Sequence, residues 1–187
     1  MTLRSYLREM TASAHAQIDD LVGVFQDLDG YRNYLKGQLA FREPVEAKIA
    51  QADFPVLFGD WRPECKAGLI RADMADLDMH APDAFAVSSD FTAQLNEPSS
   101  LLGTLYVLQG AALGAKVLYR RAAVLGLSEE FGARHLAAQA GDTLSWKRFL
   151  AILESCDSIN RDAAMRASLD TFEMARRAFA KEVDLQQ

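Results

Sequence analysis

The sequence predicts an all-α fold, on three observations. Apolar residues recur at three- and four-residue spacing along most of the chain. No segment shows period-two alternation. All five prolines lie at or before Pro98, so from Ser99 onward the chain reads as helices with short breaks. With 187 residues, half of them apolar, it has the length of a single domain (1–187) able to bury a real core.

The elements follow in order. Leu3, Leu7, Met10, Ala14, Ile18 and Leu21 predict one amphipathic helix over 3–22. Gly30 precedes a second helix over 31–50, with Leu35, Leu39, Val45 and Ile49 inward and a kink or break expected at Pro44. Residues 53–60 read as a loop, 63–79 as a third helix and 80–98 as irregular. Ser99 or Ser100 is positioned to cap a long helix that runs to about Leu125, where Gly126 stops it. Ser128 is expected to open another helix, with Glu129 and Glu130 in its first turn. Gly141 and Asp142 separate that from a helix through Leu153, and a last helix covers 159–183.

Composition narrows the function. A net charge of −6 argues against nucleic acid or an anionic membrane as the main partner. Cys65 and Cys156 are far apart and form no CxxC pair, so neither a zinc site nor a disulfide framework is indicated, and a reducing cytoplasm is the simplest setting. Charges among the first residues and the lack of an apolar stretch there argue against a signal peptide. No apolar run is expected to reach the roughly 18 residues that would span a bilayer.

Two helices carry candidate chemistry. His15 sits at the edge of the first helix's apolar stripe, with Arg8 two turns before it and Thr11 and Asp19 one turn to either side. An imidazole there can coordinate iron through one ring nitrogen while Asp19 fixes the tautomer through the other, and Arg8 can pair with a carboxylate such as a propionate. Packing in a helix interface is the other reading. In the helix over 99–125, Gly103, Gly110 and Gly114 fall on one face at spacings of seven and four. Each costs the helix roughly 1 kcal/mol relative to alanine, so bare backbone has a use there: close approach of a flat ligand, or a tight helix–helix contact. Tyr106, one turn before Gly110, can offer its hydroxyl to the same ligand. Together the helices suggest a planar cofactor with an imidazole on one side and glycine backbone on the other.

The ordered motifs resemble the bacterial haem oxygenases. Leu7-Arg8-x-x-Thr11-x-x-x-His15 is similar to that family's proximal helix. Tyr31-Arg32-x-x-Leu35 with Phe41-x-x-Pro44-x-Glu46 is similar to its second helix. Leu102-Gly103-x-Leu105-Tyr106-Val107-Leu108-x-Gly110-x-x-Leu113-Gly114 resembles its distal helix, and Trp146-x-x-Phe149-Leu150 resembles an aromatic pair of the family. Asp60-Trp61-Arg62-Pro63, followed by Lys66, Leu69 and Asp73, looks like the subgroup that supplies biliverdin to bacterial phytochromes.

The resemblance implies a haem-oxygenase-like helical bundle with haem b, as cofactor and substrate, between the proximal and distal helices. It implies oxidation of haem by O2 to biliverdin, carbon monoxide and ferrous iron, with electrons from a ferredoxin or flavoprotein and a bacteriophytochrome as a possible recipient. His15 would be the iron ligand, and Gly110 and Gly114 the glycines over the iron. Arg8, Thr11, Asp19, Tyr106, Val107, Ala111 and Lys147 would complete the haem site. The distal helix departs from the common bacterial pattern, Glu-Gly-Ser-x-Leu-Gly-Gly-Arg, at Gln109, Ala111, Ala115 and Lys116. Ala111 removes a hydroxyl and Ala115 adds a methyl beside Gly114. A tetrapyrrole-binding or regulatory protein that does not cleave haem is the alternative on the same fold.

The remaining polar residues are expected to be surface features. His80 reads as a solvated loop residue and His135 as exposed, and Asp73, Asp76 and Asp78 read as one solvated helix face. Glu43 and Glu46 have no metal between them, and Arg120 and Arg121 suit the end of the distal helix.

Overall fold

A computed structural model describes residues 1–23, 25–81, 91, 93–156 and 159–184, with side chains through Ala180. Among these residues the protein is all-helical, as predicted. The expectation for 80–98 falls largely outside them.

The predicted first helix is two, α1 (Leu3–Met10) and α2 (Ala12–Val22). The ladder still crosses the junction: Thr11 N donates to Leu7 O at 3.0 Å and His15 N to Thr11 O at 2.9 Å. Thr11 Oγ1 also donates to Leu7 O at 2.8 Å. Such back-bonding by a threonine bends a helix, and no periodicity announces it. α3 (Leu28–Ala50) starts earlier than predicted because Asp27 is its cap, accepting from Gly30 N at 2.8 Å. It runs through Pro44 without a break, which costs the ladder the bond to the Ala40 carbonyl. Residues 53–60 include a short 3₁₀ turn, Val56–Phe58.

α4 (Ala67–Asp76) is shorter at both ends than the predicted 63–79. Its N-terminus is set from afar: Glu46 Oε2 accepts from the backbone N–H groups of Lys66 and Ala67, each at 2.9 Å. The long glycine-bearing helix divides at Ala111 into α5 (Pro98–Gly110) and α6 (Ala112–Val124). Neither Ser99 nor Ser100 caps it; the Glu97 carboxylate accepts from Ser100 N at 2.7 Å. Gly126, at φ +84°, ends α6 as anticipated.

Ser128 opens no helix. It closes a turn, its N–H on Phe131 O at 2.8 Å, and Gly132 at φ +75° turns the chain before α7 (Arg134–Gly141). The cap of α7 is again distant: Asp73 accepts from Arg134 N and His135 N at 2.9 and 3.0 Å. α8 (Thr143–Glu154), capped by Asp142, and α9 (Arg161–Asp184) complete the chain.

α9 packs against α1, α2, α3 and α5 and so organises the bundle. Leu101, Leu102, Leu105, Phe149 and Leu153 centre one apolar cluster, and Tyr31, Leu35, Leu39, Ile70, Met74 and Leu136 a second. Gly103 lies against Ala164 of the first. A Cβ on it would lie 2.0 Å from Ala164 O, so α5 and α9 approach there backbone to backbone. Contrary to the sequence expectation, Pro98–Val124 is long and apolar enough to cross a membrane by length and composition. Its leucines in α5 are spent on the core.

Candidate functional site

A cavity of about 660 Å³ opens between the bent α1–α2 pair and the bent α5–α6 pair, with α3, α8 and α9 closing its sides. That volume lies within the roughly 300–1,000 Å³ of small-molecule and cofactor sites. The bend on each wall falls where side chains meet the cavity. On one wall it is at Thr11. On the other it is at Ala111, where the helix bonds lengthen to 3.3 Å (Ala111 N to Val107 O) and 3.2 Å (Ala115 N to Ala111 O) beside Gly110.

The first wall presents Arg4, Arg8, Thr11, His15 and Asp19. His15 Nδ1 lies 2.9 Å from Asp19 Oδ2, one turn on, and the imidazole meets the Phe172 ring edge-on at 5.9 Å between centroids. With Nδ1 engaged, Nε2 is the nitrogen whose lone pair is available to a ligand. The side chain of His15 is 58% exposed in the open cavity, so its position answers to the cavity and not to burial in a helix interface.

The opposite wall presents Tyr106, Val107, Gly110, Ala111 and Gly114. A Cβ at Gly110 or Gly114 would meet nothing within 4 Å, in contrast with Gly103. The three glycines therefore divide between the two readings of their pattern: Gly103 makes the tight helix contact, and Gly110 and Gly114 leave room over the cavity. Ala115 is buried and still touches the cavity, and Ala111 is exposed to it. The two walls meet at Tyr106 and Thr11. Burial pushes the Tyr106 phenol up, offset in part by a hydrogen bond with Thr11 and by the charges of Arg4 and Arg8.

Lys147 does not join the site. It is exposed and lines no part of the cavity, while its neighbour Trp146 does. Sequence reasoning missed the third wall, where Tyr34, Gln38 and Arg42 of α3 and Gln139 of α7 face inward. The spacing of four between Tyr34, Gln38 and Arg42 was a legible signal, three polar side chains on one line beside the inward Leu35 and Leu39. Arg42 is buried; its Nη1 donates to Glu46 Oε1 at 3.0 Å and its Nε to Gln38 Oε1 at 3.3 Å. Arg4, one turn before Arg8, was legible in the same way.

Several surface assignments are corrected. His135 is fully buried, its Nδ1 2.6 Å from Asp73 Oδ2, and its ring stacks on Tyr34. Burial holds its pKa below the ordinary histidine value, against the pull of Asp73. Asp73 is fully buried, and Asp76 pairs with Arg134, which lowers its pKa. Glu43 forms a two-pronged pair with Arg71 at 2.7 and 2.8 Å. No cluster of metal-ligating side chains occurs among the described residues.

A helical bundle with an imidazole facing two open glycine positions across a cavity of this size is the class of fold and site this chain presents. A model of the family described as Heme oxygenase matches residues 1–181, and the chain belongs to that family, enzymes that degrade haem to biliverdin. Among its relatives is heme oxygenase PigA of Pseudomonas aeruginosa, 30% identical over 184 residues that span 93% of this chain and 91% of PigA. The NO- and CO-bound heme oxygenase from Neisseria meningitidis shares the fold, with a TM-score of 0.71, 19% identity, and coverage of 98% of this chain and 93% of that one.

Proposed function

We propose that the cavity binds haem b as cofactor and substrate, and that the chain oxidises it with O2 to biliverdin, carbon monoxide and ferrous iron. The observation that carries this reading is the opposition of His15 to the open Cβ positions of Gly110 and Gly114. The residues present fit the group: an imidazole with one nitrogen held, a wall left open at Gly110 and Gly114, and arginines at one end.

When bound, haem supplies the iron at which oxygen is activated. His15 would hold that iron through Nε2, with Asp19 fixing the tautomer and the orientation of the ring. Gly110 and Gly114 would let the backbone of α5 and α6 approach the ring face. Arg8, joined by Arg4, would pair with propionates, and Tyr106 would orient toward the same edge through Thr11. Gln38, Arg42 and Gln139 offer polar groups on an otherwise apolar cavity, where they can order water and present protons. Val107 and Ala111 contribute contact area; Lys147 is left outside the site.

Electrons would come from a separate ferredoxin or flavoprotein, and biliverdin would pass to a partner such as a bacteriophytochrome, which the Asp60–Trp61–Arg62–Pro63 likeness supports. Two free cysteines suit a cytoplasmic setting. The whole chain would act as one domain, which the span of the family match and the sharing of α3 and α9 between both apolar clusters support. The comparisons lend nothing to the alternative of a tetrapyrrole-binding protein without cleavage activity.

Hemin titration followed by ascorbate under oxygen tests the proposal. The expected result is a Soret shift, then growth of biliverdin absorbance as the Soret band decays. A Soret band that persists through reduction and oxygenation would leave binding without cleavage.

A further inference from the structure

The cavity wall continues outward as a ladder of aromatic rings. Trp146 of α8 lines the cavity. Its ring stacks on Phe149, one turn on, at 6.2 Å between centroids. Phe149 meets Trp61 at 5.4 Å, Trp61 stacks on Phe58 at 6.0 Å, and Phe58 meets Phe54 edge-on at 5.2 Å. The chain has two tryptophans and this ladder holds both, one at the cavity and one beyond the 3₁₀ turn, with the fully buried Phe149 between them. Trp61 Nε1 donates to Ser145 Oγ at 3.1 Å, and Ser145 is half-buried beside Trp146 in α8. Arg62, held by the carbonyls of Gly59 and Trp61, lies over Phe54 at 4.4 Å. A cation seated there disfavours positive charge on Phe54, so the outermost ring that gives up an electron readily is Trp61. A second set of rings leaves the cavity through Tyr34, which stacks on Tyr31 at 5.8 Å. The two sets differ in the fate of the proton. A phenol gives up an electron readily only as its proton leaves, and Tyr31 donates to the Gly132 carbonyl at 2.6 Å, an acceptor too weakly basic to take it. Burial pushes the Tyr31 and Tyr34 phenols up, which holds their protons further. An indole loses an electron with its N–H still in place.

We infer that Trp146 and Trp61 form a path that drains oxidising equivalents from the cavity when hydrogen peroxide reaches the bound ring; the inference rests on the haem oxygenase reading. Hydrogen peroxide is the oxidant and ascorbate the reductant that close the balance. Cleavage of the O–O bond leaves the bound group two electrons short. Trp146 supplies one electron to it, and Trp61 then supplies one to Trp146 across Phe149. The Nε1 proton of Trp61 leaves along its hydrogen bond to Ser145, whose own hydroxyl proton passes to water. Two such passages and two protons turn the peroxide into two waters. One ascorbate then returns two electrons and two protons to the path at Trp61, which is 8% exposed and so has an edge that a small reductant can meet. Without a reductant, the radical at Trp61 is trapped by oxygen as an oxidised indole.

The test gives hydrogen peroxide, without reductant, to protein whose hemin loading is confirmed by its Soret band, and reads the peptides by mass spectrometry. Trp146 and Trp61 should gain one or two oxygen atoms at least tenfold more than in the hemin-free protein. Met10, exposed and outside the cavity, is the control and should be oxidised equally in both. Rapid-freeze electron paramagnetic resonance should show a radical whose signal narrows when the tryptophans carry ring deuterium. In loaded Trp146→Phe, oxidation of Trp61 should fall at least fivefold. In loaded Phe149→Leu it should fall as far, with Trp146 still oxidised. Modification at Tyr34 or Tyr106 in place of the tryptophans overturns the proposal, as does Trp61 oxidation unchanged by Trp146→Phe. The wild-type protein decides the matter even if a variant fails to fold, because equal tryptophan oxidation with and without hemin also overturns it. A protein that gives no Soret shift with hemin sinks the haem reading and this path together, whereas a loaded protein whose tryptophans stay intact sinks the path alone.

Discussion

Two of the chain's histidines face an aspartate through Nδ1, at 2.9 Å for His15 and Asp19 and at 2.6 Å for His135 and Asp73, yet the pairs serve opposite ends. His15 and Asp19 lie one helical turn apart on a cavity wall, and both are more than half exposed. The carboxylate orients a ring whose other nitrogen is left for a ligand. His135 and Asp73 are fully buried and sixty-two residues apart, and Asp73 also caps α7 through two backbone N–H groups. There the pair closes the structure, with His135 Nε2 directed at the Tyr34 hydroxyl at 3.4 Å. A histidine–aspartate contact becomes a site only where the fold leaves the second nitrogen accessible.

The contrast is sharpest under alanine substitution. His15→Ala should abolish the histidine-ligated Soret spectrum and turnover while leaving unfolding unchanged, and Asp19→Asn should lower hemin affinity or activity about tenfold. Loss of thermal stability in either variant would place His15 among the packing residues after all. His135→Ala should do the reverse. It leaves the Asp73 carboxylate buried beside an empty space and should cost about 3 kcal/mol in urea unfolding, with hemin binding per folded molecule retained.

The glycines of α5 and α6 extend the comparison. Gly103→Ala drives a methyl into the Ala164 carbonyl and should destabilise by about 2 kcal/mol without altering hemin affinity. Gly114→Ala meets open space, so the ligand-free protein should gain up to about 1 kcal/mol while hemin binding weakens. If Gly114→Ala leaves binding and turnover intact, the ring does not approach the backbone there.

The smallest expected effect is on pH. Burial lowers the His135 pKa in the folded protein, so below about 6.5 the unfolded chain binds more protons than the folded one. Stability should therefore fall as pH drops from about 6.5 through the folded-state value, by at most about 1.4 kcal/mol per pH unit from this group. Urea midpoints at pH 7.5 and 5.5 measure it, and the component is absent from His135→Ala.

The sequence by itself determined what depends on near neighbours. The helical class, the His15–Asp19 turn and the Gly110–Gly114 face follow from spacings of three, four or seven residues, because a helix places such residues side by side whatever surrounds it, and the stop at Gly126 follows from a residue free to take positive φ. The start of α4 at Glu46's carboxylate, the start of α7 at Asp73 and the burial of His135 rest on partners twenty to sixty-two residues away. No local pattern encodes such a partner, so an aspartate on a polar helix face reads as solvated until packing removes the water. The glycines show the same division. Their shared face was legible in the chain, but only the approach of α9 to Gly103 and the open space at Gly110 and Gly114 decided which of them pack and which receive.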